Sequence, residues 1–229
     1  MGYTTKNLAA DTWYLIGCNF EQVGNTEQTI QDIVTGLVPG YDTTDAPMIE
    51  YWDGSELKIL ILMDSSAWSE SAQDFITAWA DPSDQVAVDI PATPGFGFWI
   101  KVPSAQTATF AGQVVGADDV TKDIEPAFNL MSSPYPISFG FNDAAMDCSN
   151  LTPGYDTVDS PMIEYWDGTE LKILILMDSS AWSESAQDFI TAWADPSDQV
   201  AVDIKNDVGA AFWVKSAAGA TDQKIKFVK

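Results

Sequence analysis

Residues 37–90 return almost unchanged as residues 151–204. LVPGYDTTDAPMIEYWDGSELKILILMDSSAWSESAQDFITAWADPSDQVAVDI becomes LTPGYDTVDSPMIEYWDGTELKILILMDSSAWSESAQDFITAWADPSDQVAVDI, and only four of 54 positions differ: Val38/Thr152, Thr44/Val158, Ala46/Ser160 and Ser55/Thr169. The chain is therefore two copies of one module. A core alone does not demand such identity, because cores tolerate volume-conserving swaps. Either the duplication is recent or both exposed faces serve the same task.

Weaker similarity runs beyond the block. Thr5-Lys6-Asn7-Leu8 matches Thr121-Lys122-Asp123-Ile124, and Gly97-Phe98-Trp99-Ile100-Lys101 matches Ala211-Phe212-Trp213-Val214-Lys215. The modules are read as 1–118 and 119–229, each near the common size of a domain. The period is too long for a solenoid, whose repeats run at about 20–50 residues.

The charge balance narrows the function. There are 34 acidic residues against ten lysines, with no arginine and no histidine, giving a formal net charge of −24. Phosphate backbones are held by Lys/Arg clusters, so nucleic-acid binding is excluded. Anionic membrane surfaces are disfavoured for the same reason. No apolar run is long enough to insert across a bilayer. The start Met1-Gly2-Tyr3-Thr4 carries no signal-peptide pattern, which fits a cytoplasmic chain or a mature form. Without histidine there is no Ser-His-Asp triad, and no nucleotide-binding glycine motif stands in the right context.

Short strands with turn signals about every ten residues predict an all-β fold: two tandem β-sandwich or barrel-like domains from an internal duplication, with at most short helices. Trp13–Phe20 reads as a strand, and Thr29–Leu37 as a short helix. Met48–Trp52 and Leu57–Met63 flank Asp53-Gly54, a strong hairpin signal. Lys58–Leu62 is nearly continuous apolar, so it is expected to be central and covered on both faces. Ser71–Ala80 fits either a helix with a Ser71/Asp74 capping box or a strand alternating through Phe75, Thr77 and Trp79; the strand is favoured because Asp81-Pro82 follows so soon. Gln85–Ile90 alternates as a strand, and Gly95–Val102 with Thr107–Val115 suggests a final hairpin.

Two motifs carry a resemblance. Phe128-Asn129-Leu130-Met131-Ser132-Ser133-Pro134 and Pro94-Gly95-Phe96-Gly97-Phe98-Trp99 resemble the opening G-W-N-L-[IV]-S-x-P and late P-G-x-G-[FY]-W strands of a tandem β-rich module of bacterial exported and cell-surface proteins. Trp13–Gly17 departs at the Asn and Pro positions, and Val208–Trp213 matches in part. The resemblance implies an extracytoplasmic β module and brings no catalytic residues with it.

Candidate sites follow from residue chemistry. Asp42, Asp45, Asp156 and Asp159 lie in Asp-rich loops that suit a hard cation such as calcium, or caps for the turns themselves. No other cofactor is expected. Cys18 and Cys148 are not at equivalent repeat positions, so a disulfide between them would staple module to module. Trp52, Trp68, Trp166 and Trp182 are candidates for an exposed platform that stacks on sugar rings, although such residues also fill β cores and interfaces. Paired carboxylates remain as a catalytic device, from Asp53, Glu56, Asp64, Glu70 and Asp74 and their repeats at Asp167, Glu170, Asp178, Glu184 and Asp188; solvated turn residues are the plainer reading.

The function these features favour is a non-enzymatic structural subunit of an extracellular or cell-surface assembly, a filament or surface layer whose partner is itself. Thr4–Ala10 or Asp222–Val228 would add to a neighbour's sheet edge. The alternative is a carbohydrate-binding or adhesion module whose partners are glycans.

Overall fold

A computed structural model describes residues 2–24 and 27–229. Strands make up 52 % and helix 2 % of it, so the fold class is all-β, as the sequence predicts. The chain divides into two compact units, Met1–Val115 and Gly116–Lys229.

Unit 1 contains β1 (Gly2–Leu8), β2 (Trp13–Gly17), α1 (Ile30–Ile33), β3 (Val34–Thr35), β4 (Met48–Trp52), β5 (Leu57–Ser69), β6 (Asp74–Ala80), β7 (Gly97–Lys101) and β8 (Gln106–Gly112). They form a five-stranded antiparallel sheet, β2-β7-β4-β5-β6, and a three-stranded sheet, β1-β8-β3. Leu8, Ala108 and Phe110 from the small sheet share one core with Ile16, Ile49, Leu60, Trp79, Phe98 and Ile100 from the large one. Withdrawing a side chain such as Phe98 from water stabilises the sandwich by about 1.5–3 kcal/mol.

Unit 2 repeats the plan with β9 (Asp119–Ile124), β10 (Phe128–Ser132), β11 (Phe139–Gly140), β12 (Met146–Asp147), β13 (Met162–Trp166), β14 (Leu171–Ser183), β15 (Asp188–Ala194), β16 (Lys205–Asn206), β17 (Ala211–Lys215) and β18 (Gln223–Val228). Its sheets are β10-β17-β13-β14-β15, β12-β18-β9 and the pair β11-β16. Here the sandwich is closed by aromatic rings. Phe212 of β17 packs 6.1 Å from Phe139, 5.3 Å from Phe141 and 6.5 Å from Phe227 of β18, centroid to centroid.

The hairpin at Asp53-Gly54 forms as expected. Trp52 pairs with Leu57, and Gly54 takes a φ of 100° that the turn requires. Ser71–Ala80 is a turn followed by strand β6. Gln73 N–H donates to Ser69 O at 2.8 Å and Ala72 N–H to Ser69 Oγ at 3.1 Å, so the apparent helix cap closes a tight β5–β6 turn instead. β5 is interrupted by a bulge at Asp64–Ser66, three residues facing one on β6. Ser65 sits there at φ 48°, its N–H donating to Thr77 Oγ1 at 3.1 Å.

Three expectations are corrected. The Thr29–Leu37 helix shrinks to the single turn Ile30–Ile33, because the β-branched Val34 and Thr35 pair with Phe110 and Thr109 of β8. Gln85–Ile90 forms no ladder; Val86 and Ala87 make only isolated bridges to Trp68 and Ala80. β7 and β8 do not make a hairpin. The chain crosses between sheets after Lys101, so β7 pairs with β2 and β4 while β8 pairs with β1 and β3.

β5 is central, yet its cover is uneven. One face joins the sandwich core. On the other, the 37–47 loop lies along the strand, with Gly40 N–H donating to Leu62 O at 3.0 Å and Asp64 N–H to Gly40 O at 2.8 Å. That loop and the 81–90 segment cover Ile61, Met63, Ala67, Ala78 and Ala80, and the three alanines let a backbone pass close. Unit 2 builds the same outer cluster from Ile175, Met177, Ala181, Ala192 and Ala194. The cover stops short of the hairpin end.

Candidate functional site

Register decides what the uncovered end of the sheet presents. Residues directly opposite across an antiparallel pair share a face. Glu50 pairs with Ile59 on one side and Trp99 on the other, and Trp52 pairs with Leu57. One outer face of unit 1 therefore carries Trp99, Glu50, Ile59, Trp52 and Leu57. Unit 2 carries Trp213, Glu164, Ile173, Trp166 and Leu171 in the same register.

These faces are apolar and open at their hairpin ends, while Trp213 is buried at 8 % exposure with Phe128 packed on it edge to face. Leu57 and Ile59 are 46 % and 44 % exposed, and Leu171 and Ile173 are 45 % and 42 % exposed. A carboxylate sits in the middle of each. Burial against these neighbours pushes the Glu50 carboxyl above the usual carboxylate range, and Glu164 likewise, with Lys215 partly opposing the shift.

A second apolar feature lies at the far end of β5. Trp68 pairs with Phe75, their rings edge to face at 5.3 Å; Trp182 and Phe189 repeat this at 5.3 Å. Trp68 Nε1–H donates to Glu70 Oε1 at 3.0 Å, which fixes the indole, while Phe75 is 57 % exposed and Phe189 58 %.

The candidate tryptophans of each unit lie on different faces of its sheet. Met63 and Ala67 both face the outer cluster, so the strand keeps its phase through the bulge and Trp68 points to the opposite face from Trp52. The same holds for Trp166 and Trp182. Trp52 shares its face with Trp99, and Trp166 with Trp213. That Glu50 and Trp99 share a face with Trp52 was recoverable only from the register of β7 against β4.

The Asp-rich loops act as turn caps. Asp45 Oδ1 accepts from the N–H groups of Tyr41 and Asp42 at 2.7 and 2.9 Å. Asp42 Oδ1 accepts from Thr44 Oγ1 and N–H at 2.6 and 2.7 Å, and these bonds lower its pKa. In unit 2, Asp159 Oδ1 accepts from Tyr155 and Asp156 N–H at 2.9 and 3.1 Å, which lowers its pKa, and Asp156 Oδ1 from Val158 N–H at 2.7 Å. Among the described residues, no three His, Cys, Asp or Glu side chains gather as a group able to hold a metal.

The remaining carboxylates are also engaged locally. Asp53 Oδ1 accepts from Ser55 N–H and Oγ and from Glu56 N–H, which hold its pKa down at about 2; Asp167 does the same in unit 2, also at about 2. Glu56 pairs with Lys58, Glu70 holds the Trp68 indole, and Asp74 Oδ1 accepts from Phe75 N–H at 2.8 Å.

The two cysteines are not joined in the structure. Both residues are thiols. Cys18 is buried in the unit 1 core, where Sγ donates to Ala92 O at 3.2 Å and Gln28 Nε2–H donates to Sγ at 3.6 Å. A disulfide would forfeit those bonds. Of the two terminal segments proposed for strand addition, β1 is an edge strand of its sheet, but β18 pairs along its length with β9 and, at Lys226 and Phe227, also with β12.

No family model, no curated protein and no solved structure matches the chain. Among the described residues, no helix is long and apolar enough to cross a membrane. The reading of function therefore rests on the surfaces.

Proposed function

We propose that this protein is a structural subunit of an extracellular or cell-surface assembly, self-associating through the sheet faces and edges of its two modules. One observation carries the reading: the same apolar side chains stand open in both units, Leu57, Ile59 and Phe75 in one and Leu171, Ile173 and Phe189 in the other, each pair exposed to within two percentage points. Contiguous exposed apolar surface marks an interaction site. In each unit the two patches lie on opposite faces of one sheet. Patch-to-patch contact between unlike faces is heterologous and leads to open chains rather than closed rings. The edge strand β1 offers a further route, by strand addition.

The net charge of −24 opposes association. Screening by salt, or by divalent cations with calcium foremost, relieves that repulsion. The test is sedimentation velocity with negative-stain microscopy across about 0.02 to 1 M salt, with and without calcium. Concentration-dependent oligomers or fibres that grow with ionic strength are expected. The paired substitution Ile59→Lys and Ile173→Lys should leave single particles of unchanged Tm. A monomer under every condition, up to the solubility limit, would overturn the reading.

The alternative, a carbohydrate-binding or adhesion module, is favoured by the Trp52, Glu50 and Trp99 row. An aromatic surface stacks on a sugar ring while a carboxylate accepts from its hydroxyls. Binding on a glycan array that disappears in Trp52→Ala and Trp166→Ala together, in protein that stays monomeric, would decide for it.

A further inference from the structure

β1 and β9 hold the same place in the two units. Each is an outermost strand of its small sheet, with Leu8 opposite Gln106 and Ile124 opposite Gln223. Their outward residues differ: Tyr3, Thr5 and Asn7 on β1, but Asp119, Thr121 and Asp123 on β9. An edge strand presents unpaired backbone N–H and C=O groups, and charged side chains are a common guard against pairing with another chain. β9 carries that guard, with Asp123 held by Lys224 at 2.8 Å. β1 has one charge, Lys6, and it is turned to the other face, where its ammonium lies 6.0 Å from the centre of the Tyr14 ring.

The other sheet edges offer less. β2 and β10 have no exposed residue. β6 and β15 are bonded at their ends by the segments that follow them, Val88 N–H donating to Trp79 O at 2.9 Å and Val202 N–H to Trp193 O at 3.1 Å. β3 and β12 are only two residues long. The sheet face that β1 extends is also uncharged. Tyr3 stands opposite Ala111, Asn7 opposite Thr107, and Thr5 opposite Thr109, which faces Thr35 on β3. On a chain of net charge −24, a second copy approaches here without setting carboxylates against each other.

We infer that β1 pairs antiparallel with β1 of a second copy of this chain, about a two-fold axis at Thr5, and that β9 does not pair in this way. The inference rests on the self-association proposed above and names one contact within it. Register selects the axis. A slip of one residue would send the outward side chains to the wrong face. Centring on Thr5 pairs Gly2 with Leu8, Tyr3 with Asn7 and Thr4 with Lys6, so all seven residues of the strand are used. Centring on Lys6 would set two ammonium groups opposite each other, which is unfavourable, and centring on Thr4 would leave Asn7 and Leu8 over. The same pairing of β9 about Thr121 would oppose Asp119 to Asp123. A two-fold contact closes on itself, so β1 joins copies in pairs and the sheet-face contacts extend from pair to pair.

Cysteine cross-linking of the full chain tests the contact. Residues opposite across an antiparallel pair have Cα atoms about 4.5–5.5 Å apart, within the range of about 4.4–6.8 Å that a disulfide spans. Under copper–phenanthroline oxidation, Thr5→Cys should give a reducible two-chain species on a gel. Thr121→Cys, at the matching place on β9, and the unsubstituted chain should give none. Tyr3→Cys alone should also give none, but should cross-link when mixed with Asn7→Cys. Tyr3→Asp with Asn7→Asp, which copies the charges of β9 onto β1, should abolish the Thr5→Cys bridge in protein of unchanged Tm. In the chain carrying Ile59→Lys and Ile173→Lys, the bridge should persist after fibres are lost, so the sheet-face contacts and this contact fail separately. No bridge from Thr5→Cys at any salt concentration, an equal bridge from Thr121→Cys, or a bridge that survives Tyr3→Asp with Asn7→Asp would overturn the inference.

Discussion

Gly40 and Asp45 lie so close that a Cβ on the glycine would stand 2.5 Å from Asp45 Oδ1 and 2.7 Å from Ala46 N. The approach is what lets the 37–47 loop bond along β5 and close the outer cluster. Gly154 and Asp159 repeat it in unit 2. Gly40→Ala and Gly154→Ala should each cost about 2–3 kcal/mol, seen as a fall of roughly 10–20 °C in the transition of the unit concerned. Gly116→Ala, where no atom lies within 4 Å of the added carbon, is the control and should shift little. An unchanged Tm for Gly40→Ala would mean the loop is not held where described.

Acid should weaken the fold through the hairpin turns. Asp53 and Asp167 have folded pKa values of about 2, below the ordinary 3.8, because backbone and hydroxyl groups donate to the charged form. A depressed folded pKa gives stability that is complete above the unfolded value and lost as pH falls from about 4 towards 2. Urea midpoints measured across that window should drop. In Asp53→Ala with Asp167→Ala, the drop should be shallower and the midpoint at pH 7 already lower.

Glu50 and Glu164 behave in the opposite sense. Burial raises their folded pKa, so ionisation costs more in the folded chain and their contribution becomes less favourable as pH rises past about 4.5. Glu50→Gln and Glu164→Gln should therefore stabilise the fold at pH 7 by under about 1 kcal/mol each, seen as a higher urea midpoint, since solvent screens a half-exposed group. The gain should vanish near pH 4. A loss of stability at pH 7 would place these side chains in an interaction not seen in the structure.

Thiol chemistry tests the cysteine assignment. Cys148, with its pKa near 12, should react with iodoacetamide at pH 8 at least about 100-fold more slowly in native protein than in urea. Two thiols per chain should titrate after unfolding without reductant. A single band whose mobility changes on reduction would restore the intramolecular bridge.

Much of this was legible in the chain. The duplication, the all-β class, the hairpin at Asp53-Gly54 and the strand character of Phe75–Ala80 follow from repeats, alternation and turn residues, which act over a few positions. The errors share one cause. Val34 and Thr35 leave the helix because β8 is waiting to pair with them, and Gly97–Gly112 fails as a hairpin because its two strands are claimed by different sheets. Trp52 and Trp68 part company because face is set by register, and register across β4, β5 and β6 is a long-range property.

By itself, the sequence determined that two copies of one strand-rich module fold from this chain, with an acidic surface and no histidine or arginine chemistry. Local periodicity and side-chain type suffice for that. Only the tertiary structure decided which apolar residues stay uncovered, because Leu57 and Ile59 look as buried as Leu60 until the reach of the 37–47 loop is known.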